Sequence, residues 1–332
     1  MKLWQKVAIP ALLVGVMAAG VPERAHAQAA VKMDGSSTVF PIAEAMAEEF
    51  QIQKRGKVRV TVGVSGTGGG FKKFCRGETD VSNASRPITA EEMEICRKAG
   101  IKYMELPIAF DALTVVVNPQ NTWARTLTVA ELKKMWEPAA QGRINNWKQI
   151  RSSFPSEKLM LFGPGADSGT FDYFTEAVNG KAKASRGDYT ASEDDNTLVQ
   201  GVENNKGALG YFGFAYYAAH KDKMTAVGVD AGKGPVGPSL ENVTNATYSP
   251  LSRPLFIYVR DTAAGRPEIK EFVQFMMSRG DLVAEVGYLP LPKQAYALTL
   301  KHFQDGKLGS VFGGTAKIGI TIDQLLAMEA KL

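Results

Sequence analysis

Hydrophobic and polar positions along this chain form three units that each predict a strand, a loop and a helix. Short apolar runs at 31–33, 58–62 and 159–162 predict the strands, and in the second run valines alternate with Arg59 and Thr61. Repeated units of this kind predict an α/β fold with a largely parallel sheet. After each loop, apolar residues keep the spacing of a buried helix face, at Ala43, Met46, Ala47 and Phe50, at Phe71, Phe74 and Cys75, and at Phe171, Phe174 and Val178.

The loops between these strands and helices are rich in Gly, Ser and Thr. They span Asp34 to Thr38, Gly63 to Gly70 and Gly163 to Thr170. Such a loop brings backbone N–H groups, the positive end of a helix and side-chain hydroxyls to one point, which suits a small oxyanion. For an isolated Ser or Thr, a helix N-cap is the simpler interpretation. Three loops together predict a pocket where helix N-termini converge on one tetrahedral anion.

Two long apolar runs predict where the chain passes between two lobes. They are Ala109 to Asn118 and Pro254 to Arg260. The first lobe would comprise residues 28–112 and 253–332, with the tail from Lys301 completing it, and the second lobe would comprise residues 113–252. About 305 residues remain after an N-terminal cleavage, more than one core usually organises. Buried strands of one large sheet are the alternative.

Residues 1–27 have the pattern of a cleaved signal peptide. Lys2 and Lys6 precede an uncharged apolar stretch, and Ala25-His26-Ala27 offers the small residues that signal peptidase reads. The stretch is shorter than the roughly 20 apolar residues of a spanning helix. We therefore expect an exported, soluble, periplasmic protein that begins at Gln28.

Charge and cysteine content narrow the class of protein. The formal charge of +5 falls to +3 without residues 1–27, which is too small and dispersed to indicate nucleic acid. Cys75 and Cys96 form an even pair in an exported chain and predict a disulfide. With only His220 and His302 beyond the signal peptide and no Cys/His cluster, we expect no metal and no other cofactor.

Four motifs resemble the periplasmic phosphate-binding proteins of ABC transporters, in order and in spacing. They are Asp34-Gly-Ser-Ser-Thr-Val-Phe-Pro41, the Ser-Gly-Thr-Gly-Gly-Gly-Phe stretch that ends at Phe71, Thr79-Asp80-Val-Ser-Asn-Ala-Ser-Arg86, and Asp167-Ser-Gly-Thr-Phe171. The resemblance extends to Gly207 to Phe212 and to the run at 254–260, and so covers nearly the whole mature chain.

The resemblance implies a two-lobed periplasmic-binding-protein fold. Each lobe would be a mostly parallel sheet flanked by helices, with the ligand in the cleft between them. It also implies capture without chemistry: the chain binds inorganic phosphate, the lobes close, and the closed form delivers phosphate to a membrane permease for import. We expect a monomer that is not an enzyme. Sensing, or scavenging without a permease, would leave the same sequence.

The resemblance assigns the ligand contacts to the three loops. Hydroxyl and N–H donors at helix ends can bind a dianion without an equal number of cationic side chains. Two sets would act from the first lobe and the third set from the opposite lobe. The sets are Ser36, Ser37 and Thr38, then Ser65, Gly66 and Thr67, and then Ser168, Gly169 and Thr170.

Asp80 is the residue that would select phosphate over sulfate. A carboxylate repels an anion unless the ligand carries a proton to donate, and near neutral pH phosphate carries one whereas sulfate does not. The resemblance implies that Asp80 accepts this proton, so that bound sulfate would leave two negative groups opposed in a dry site. A loop aspartate that caps backbone N–H groups is the alternative.

One departure from the family pattern leaves the site short of a cation. Members of the family carry an arginine shortly before the Ser-Gly-Thr loop, where this chain has Pro164. We expect Arg86 to supply the charge and to bridge Asp80 and the ligand with its planar fork. Asp167 would orient Arg86 or cap the following helix. Lys72 and Lys73 are weaker candidates.

Two other functions fit parts of the sequence. An exported phosphatase or hydrolase could use Ser65 or Ser168 as a nucleophile, but neither lies in a Gly-x-Ser-x-Gly motif and no histidine is near in sequence. A binding protein for sulfate or molybdate is the closer alternative, and the acceptor role expected of Asp80 argues against both of these anions.

Overall fold

The computed structural model describes residues 28–332, and the predicted signal peptide lies outside the described residues. Within 28–332, no helix is long and apolar enough to cross a lipid bilayer. The strands are β1 (Ala29–Gly35), β2 (Val58–Val64), β3 (Val81–Ala84), β4 (Tyr103–Ala112), β5 (Thr114–Val117), β6 (Thr126–Thr128), β7 (Met160–Pro164), β8 (Thr190–Ser192), β9 (Ala208–Phe212), β10 (Thr225–Ala226), β11 (Gly228–Asp230), β12 (Pro235–Val236), β13 (Ser252–Arg260) and β14 (Leu289–Pro290).

The helices alternate with these strands over most of the chain, and one short 3₁₀ turn lies at Pro138–Ala140. They are α1 (Phe40–Gln53), α2 (Gly66–Cys75), α3 (Ala90–Lys98), α4 (Val129–Trp136), α5 (Trp147–Ile150), α6 (Gly169–Asn179), α7 (Asp195–Glu203), α8 (Phe214–Ala219), α9 (Leu240–Thr244), α10 (Asp261–Ala264), α11 (Pro267–Ser278), α12 (Gly280–Glu285), α13 (Lys293–Asp305) and α14 (Ile322–Glu329).

The strands form two main sheets. One contains six strands in the order β14-β4-β13-β3-β1-β2, and the other contains five in the order β10-β5-β9-β7-β8. A small sheet of β12, β11 and β6 accompanies them. The predicted α/β class is confirmed, but the sheets are mixed rather than mostly parallel. Strand β1 pairs in parallel with β2 and β3, whereas β13 runs antiparallel to both β3 and β4.

The two main sheets divide the chain near the predicted crossing points. Strand β4 ends at Ala112 in the six-stranded sheet, and β5 begins two residues later in the five-stranded sheet. The chain returns beside this point, because the Leu113 amide donates to the Leu251 carbonyl at 2.8 Å and β13 follows at once. This sheet membership supports lobe boundaries at 112/113 and 252/253, which remain a proposal.

The helix faces predicted from apolar spacing are the faces that pack on the sheets. All four predicted α1 positions are buried, and Phe50 at the end of this face contacts the ring of Phe272 with centroids 5.1 Å apart. Phe71 of α2 packs edge-on against Tyr258 of β13, at 4.8 Å. The burial of these faces fixes the start of each helix relative to the strand before it, and therefore fixes the loops between them.

The predicted disulfide and tail both belong to this framework. Cys75, at the end of α2, is bonded to Cys96 of α3. The tail packs on the six-stranded sheet: the Gly309 amide donates to the Tyr103 carbonyl at 2.9 Å, and Phe312 contacts Phe256. Ile320 and Leu325, two of its apolar positions, are buried.

Candidate anion-binding site

Each of the three predicted loops joins the end of a strand to the start of a helix. The loops connect β1 to α1, β2 to α2 and β7 to α6. Two helices begin after a serine N-cap, Ser65 for α2 and Ser168 for α6. The Ser168 hydroxyl accepts from the Thr170 amide at 3.1 Å, as an N-cap does. Gly66 has a φ of +73°, a conformation that favours glycine at this turn.

The structure brings the three loops together in the cleft. The Thr38 and Thr170 hydroxyls are 2.8 Å apart, although 132 residues separate them. The Gly68 amide donates to the Asp167 carbonyl at 2.6 Å. Gly169 lies so close to Thr67 that an added Cβ would be 2.5 Å from its hydroxyl oxygen. Two helix starts from one sheet therefore face a third from the other, as the sequence predicts.

Arg253 is the buried cation at this point, and sequence reasoning missed it. Its side chain is fully buried at the start of β13. One terminal nitrogen donates to the Thr170 hydroxyl at 2.8 Å and to the Thr38 hydroxyl at 3.3 Å, while the other donates to the carbonyls of Ser85 and Gly169. A charged residue at the edge of the apolar run at 254–260 is the sequence signal that could have indicated it.

Asp111 holds the Arg253 fork in place. Its carboxylate accepts from two nitrogens of the guanidinium, at 3.0 and 3.2 Å, and from the Phe214 amide at 3.0 Å. Burial raises the pKa of Asp111, and attraction by Arg253 opposes this rise. Both side chains are completely buried. The pair thus places a rigid, charged donor group beneath the threonine hydroxyls.

Hydroxyl groups with a cationic fork behind them can bind an oxyanion. Comparisons with known proteins indicate the family to which the chain belongs. Residues 21–279 match a PBP superfamily domain. The chain is 52% identical to Protein SphX of Synechococcus elongatus, covering 97% of this chain and 96% of that protein. It is 37% identical to the phosphate-binding protein PstS of Staphylococcus saprophyticus, over 96% of this chain and 98% of that protein. The chain belongs to the PstS-like family of the PBP superfamily.

Solved structures agree with this membership. A possible phosphate-binding protein from Planctomyces limnophilus is 48% identical, with a TM-score of 0.62 over 84% of this chain and 99% of that one. A candidate phosphate ABC transporter substrate-binding protein from Clostridium perfringens, solved with bound phosphate, is 28% identical. Its TM-score is 0.67, over 79% of this chain and 100% of that one. The two-lobed fold expected of a PstS-like protein is confirmed.

Asp80 does not lie at the site of this PstS-like chain, so its expected contact with the ligand is wrong. It precedes β3, at the end of the strand opposite to Ser85. Its carboxylate is paired with Arg266 at 2.7 Å and Arg260 at 3.3 Å, and it also accepts from the Lys32 amide. Asp80 therefore ties β1, β3 and β13 together at the ends of these strands that lie away from Ser85. Ser85, which follows β3, contacts Thr67 instead.

Arg86 is buried beside the cleft, but it does not bridge Asp80 and a ligand as expected. It is paired with both oxygens of Glu92 at 2.8 Å and with Asp172 of α6 at 2.7 Å. Burial disfavours its charge, but the hydrogen bonds and attraction of Glu92 and Asp172 outweigh burial and raise the pKa of Arg86. Arg86 thus joins the two lobes, whereas Arg253 is the cation that lies against Thr38 and Thr170.

Asp167 does not orient Arg86. Its carboxylate is paired with Lys72 of α2 at 2.7 Å, and its amide donates to Glu193 at 3.0 Å. Lys72 and Asp167 are both partly exposed, so this pair lies at the rim of the cleft and contributes little to stability. Lys73 is paired with Asp34 instead.

The remaining predicted serines make hydrogen bonds within their loops and to neighbouring elements. The Ser65 hydroxyl donates to Asp34, and the Ser36 hydroxyl accepts from the Val39 amide at 3.4 Å. The Ser37 carbonyl accepts from the Tyr216 hydroxyl at 2.9 Å. Ser36 and Ser37 are buried with Thr38, so packing as well as these hydrogen bonds holds the loop between β1 and α1.

Proposed function

We propose that this chain binds inorganic phosphate in the cleft between its lobes and delivers it to the membrane permease of an ABC transporter for import. The observation that carries this proposal is the convergence of the Thr38 and Thr170 hydroxyls on the buried Arg253. Hydroxyl donors at helix starts and a planar guanidinium together suit a tetrahedral oxyanion. Relatives that span nearly the whole chain are named phosphate-binding proteins.

The same observations favour binding over catalysis. The two serines that could act as nucleophiles are not paired with a histidine base in the described range, because the Ser65 hydroxyl donates to Asp34 and the Ser168 hydroxyl accepts from the Thr170 amide. Of the histidines in the described range, His220 contacts a backbone carbonyl and His302 lies beside Glu329. The chain is a binding protein rather than an enzyme.

We also propose that the protein acts as a periplasmic monomer after residues 1–27 are removed. The basic start, the apolar stretch and the small residues before Gln28 support export. Mass spectrometry of the exported protein tests the cleavage, since a chain that still begins at Met1 would contradict it. Light scattering of the purified protein tests the monomer in the same preparation.

Titration calorimetry with a threonine variant tests phosphate binding at the proposed site. The protein is unfolded, dialysed and refolded, to remove any ligand that copurifies with it, before titration with phosphate. We expect tight one-to-one binding, which Thr170→Val weakens about ten- to a hundredfold, because a hydrogen bond to a charged ligand contributes about 1.5–3 kcal/mol.

Thr175→Val is the matched control for this experiment. Thr175 lies on the same helix, but its hydroxyl donates to the Phe171 and Asp172 carbonyls rather than facing the cleft. The phosphate affinity of the Thr175→Val variant should therefore equal that of the unmodified protein. Equal affinity in the Thr170 variant would contradict the proposed site, and absence of phosphate binding in the unmodified protein would contradict the function. Preferential binding of sulfate or molybdate would favour the alternative oxyanion function.

A further inference from the structure

One buried tyrosine joins the proposed phosphate site to the C-terminal tail. Tyr173 lies on α6, three residues after Thr170, and only 2% of its surface is exposed. Its hydroxyl donates to the Ser252 carbonyl at 2.7 Å, with the Pro250 carbonyl at 3.1 Å as a second acceptor. These acceptors lie where the chain returns to the six-stranded sheet, just before Arg253. The hydroxyl therefore ties α6 to the start of β13.

The ring of Tyr173 lies against Arg253 as well. The central carbon of the guanidinium is 5.6 Å from the ring centroid, within the range of a cation–π contact. Burial raises the pKa of Tyr173 to about 12, so the hydroxyl keeps its proton near neutral pH and remains a donor. One side chain thus holds Arg253 against the helix that carries Thr170.

A third partner of this hydroxyl comes from the C-terminal tail. Residues 308–320, here called the tail strap, run between α13 and α14. The Gly319 amide, near the end of the strap, donates to the Tyr173 hydroxyl at 2.9 Å. Farther back, the Gly314 carbonyl accepts from the amide of Ala90, the first residue of α3, at 3.2 Å. The tail strap therefore reaches from α3 in the six-stranded half to α6 in the other half.

The contact between the tail strap and Tyr173 requires a glycine. Gly319 has a φ of +68°, which disfavours other residues, and an added Cβ would lie 2.9 Å from the Ser249 hydroxyl oxygen. The next residue, Ile320, is buried and fixes the strap beside this contact. Gly313 has a similar φ of +59°, but a Cβ there would lie in open space. The strap thus contains one glycine at a close approach and one that is free of it.

We propose that the tail strap positions Arg253 through Tyr173, so that the C-terminal tail contributes to phosphate affinity without touching the ligand. This proposal rests on the proposed phosphate function. The strap holds the Tyr173 hydroxyl, the hydroxyl holds the return segment, and the ring holds the guanidinium. Donors that are fixed before binding lose less freedom when an anion enters, and they bind it more tightly. Tyr173 is a positioning residue that acts through Arg253.

Calorimetry of Tyr173→Phe with phosphate tests this role. The variant keeps the ring and loses the hydroxyl, and we expect phosphate affinity to fall about three- to tenfold, the usual effect of one hydrogen bond. Tyr296→Phe is the matched control. The Tyr296 hydroxyl also donates to a carbonyl and accepts from an amide, those of Ile108 and Leu291, but it lies between α13 and β4. The control should keep the original affinity.

Two glycine variants test the contribution of the tail strap. Gly319→Ala should lower phosphate affinity about two- to fivefold, because its methyl group moves the amide away from the Tyr173 hydroxyl. Gly313→Ala adds similar conformational strain without the close approach and should leave the affinity unchanged. Gly319→Ala combined with Tyr173→Phe should lower affinity no further than Tyr173→Phe alone, since both changes break the same connection. Additive losses would contradict this connection.

A second measurement uses the unmodified protein. If the tail strap increases phosphate affinity, phosphate must stabilise the strap by the same factor. Hydrogen exchange at the Gly319 amide, followed by NMR, should therefore slow when phosphate is added. In Tyr173→Phe saturated with phosphate, exchange at this amide should not slow. A residue with only a structural role would not link exchange in the tail to the ligand.

The outcomes separate this inference from the function on which it rests. Unchanged phosphate affinity in Tyr173→Phe or in Gly319→Ala, or exchange at Gly319 that does not respond to phosphate, would overturn the role of the tail strap alone. Failure of the unmodified protein to bind phosphate would overturn the proposed function as well. Reduced affinity in both variants, with both controls unchanged and slowed exchange at Gly319, would establish the positioning role.

Discussion

At the scale of single residues, Arg253 both forms the buried ion pair with Asp111 and contacts the threonine hydroxyls of two loops. Its guanidinium pairs with Asp111 through two nitrogens and also donates to two threonine hydroxyls and two carbonyls, so the five N–H groups of the fork share six acceptor contacts. The sequence could not show this, because Thr38 and Arg253 are 215 residues apart and meet only in the folded chain. The hydroxyls were predicted from local loop patterns, whereas the cation was not.

Replacing Arg253 tests the buried pair. Arg253→Met should lower the free energy of unfolding by about 3–5 kcal/mol, because it leaves the Asp111 charge buried without a partner. Combining it with Asp111→Asn should restore part of this loss, since both charges are then absent. Urea unfolding of the single and double variants measures the difference. A double variant no more stable than Arg253→Met would contradict the pairing.

At the scale of secondary-structure elements, the sequence predicted the units well and the ends of one strand poorly. Apolar spacing located the buried faces of α1, α2 and α6, because burial of a helix face depends on local order. The error at Asp80 concerns β3, whose four residues span about 13 Å and separate Asp80 from Ser85. The resemblance assigned the role to Asp80 itself, whereas the strand geometry shows that the other end of β3, at Ser85, reaches the cleft.

An Asp80→Asn variant distinguishes the two ends of β3. Loss of the charge that holds Arg260 and Arg266 should lower the free energy of unfolding by about 1–3 kcal/mol. It should leave the affinity for phosphate and the rejection of sulfate unchanged, as calorimetry of the folded variant would measure. Asp222→Asn, at an exposed turn, should change neither property. Sulfate binding by the Asp80 variant would restore the role that the sequence suggested.

The mixture of parallel and antiparallel strands is a second feature that local sequence patterns could not predict. Strand β13 returns from the second lobe and runs antiparallel between β3 and β4, and its direction depends on where the chain crosses. The apolar run at 254–260 indicated a buried strand but not its direction. This return is what carries Arg253 into the cleft.

At the scale of the whole molecule, the lobes meet through groups that lie in and beside the proposed site. Arg86 pairs with Asp172, Lys72 pairs with Asp167, and the Thr38 hydroxyl contacts that of Thr170. Each of these pairs joins a residue of the six-stranded half to one of α6 or the loop before it. An anion that enters between the threonines must exchange their direct contact for contacts with its own oxygens. In the proposed site, closure and phosphate binding would therefore involve the same two threonines.

A crystal structure of the refolded protein with added phosphate tests the proposed site most directly. Phosphate should lie between the Thr38 and Thr170 hydroxyls, within about 3 Å of each and of Arg253. The two hydroxyls should then be farther apart than 2.8 Å. Phosphate bound elsewhere, such as beside Asp80 and Arg266, or hydroxyls of Thr38 and Thr170 still in direct contact in the complex, would contradict this arrangement.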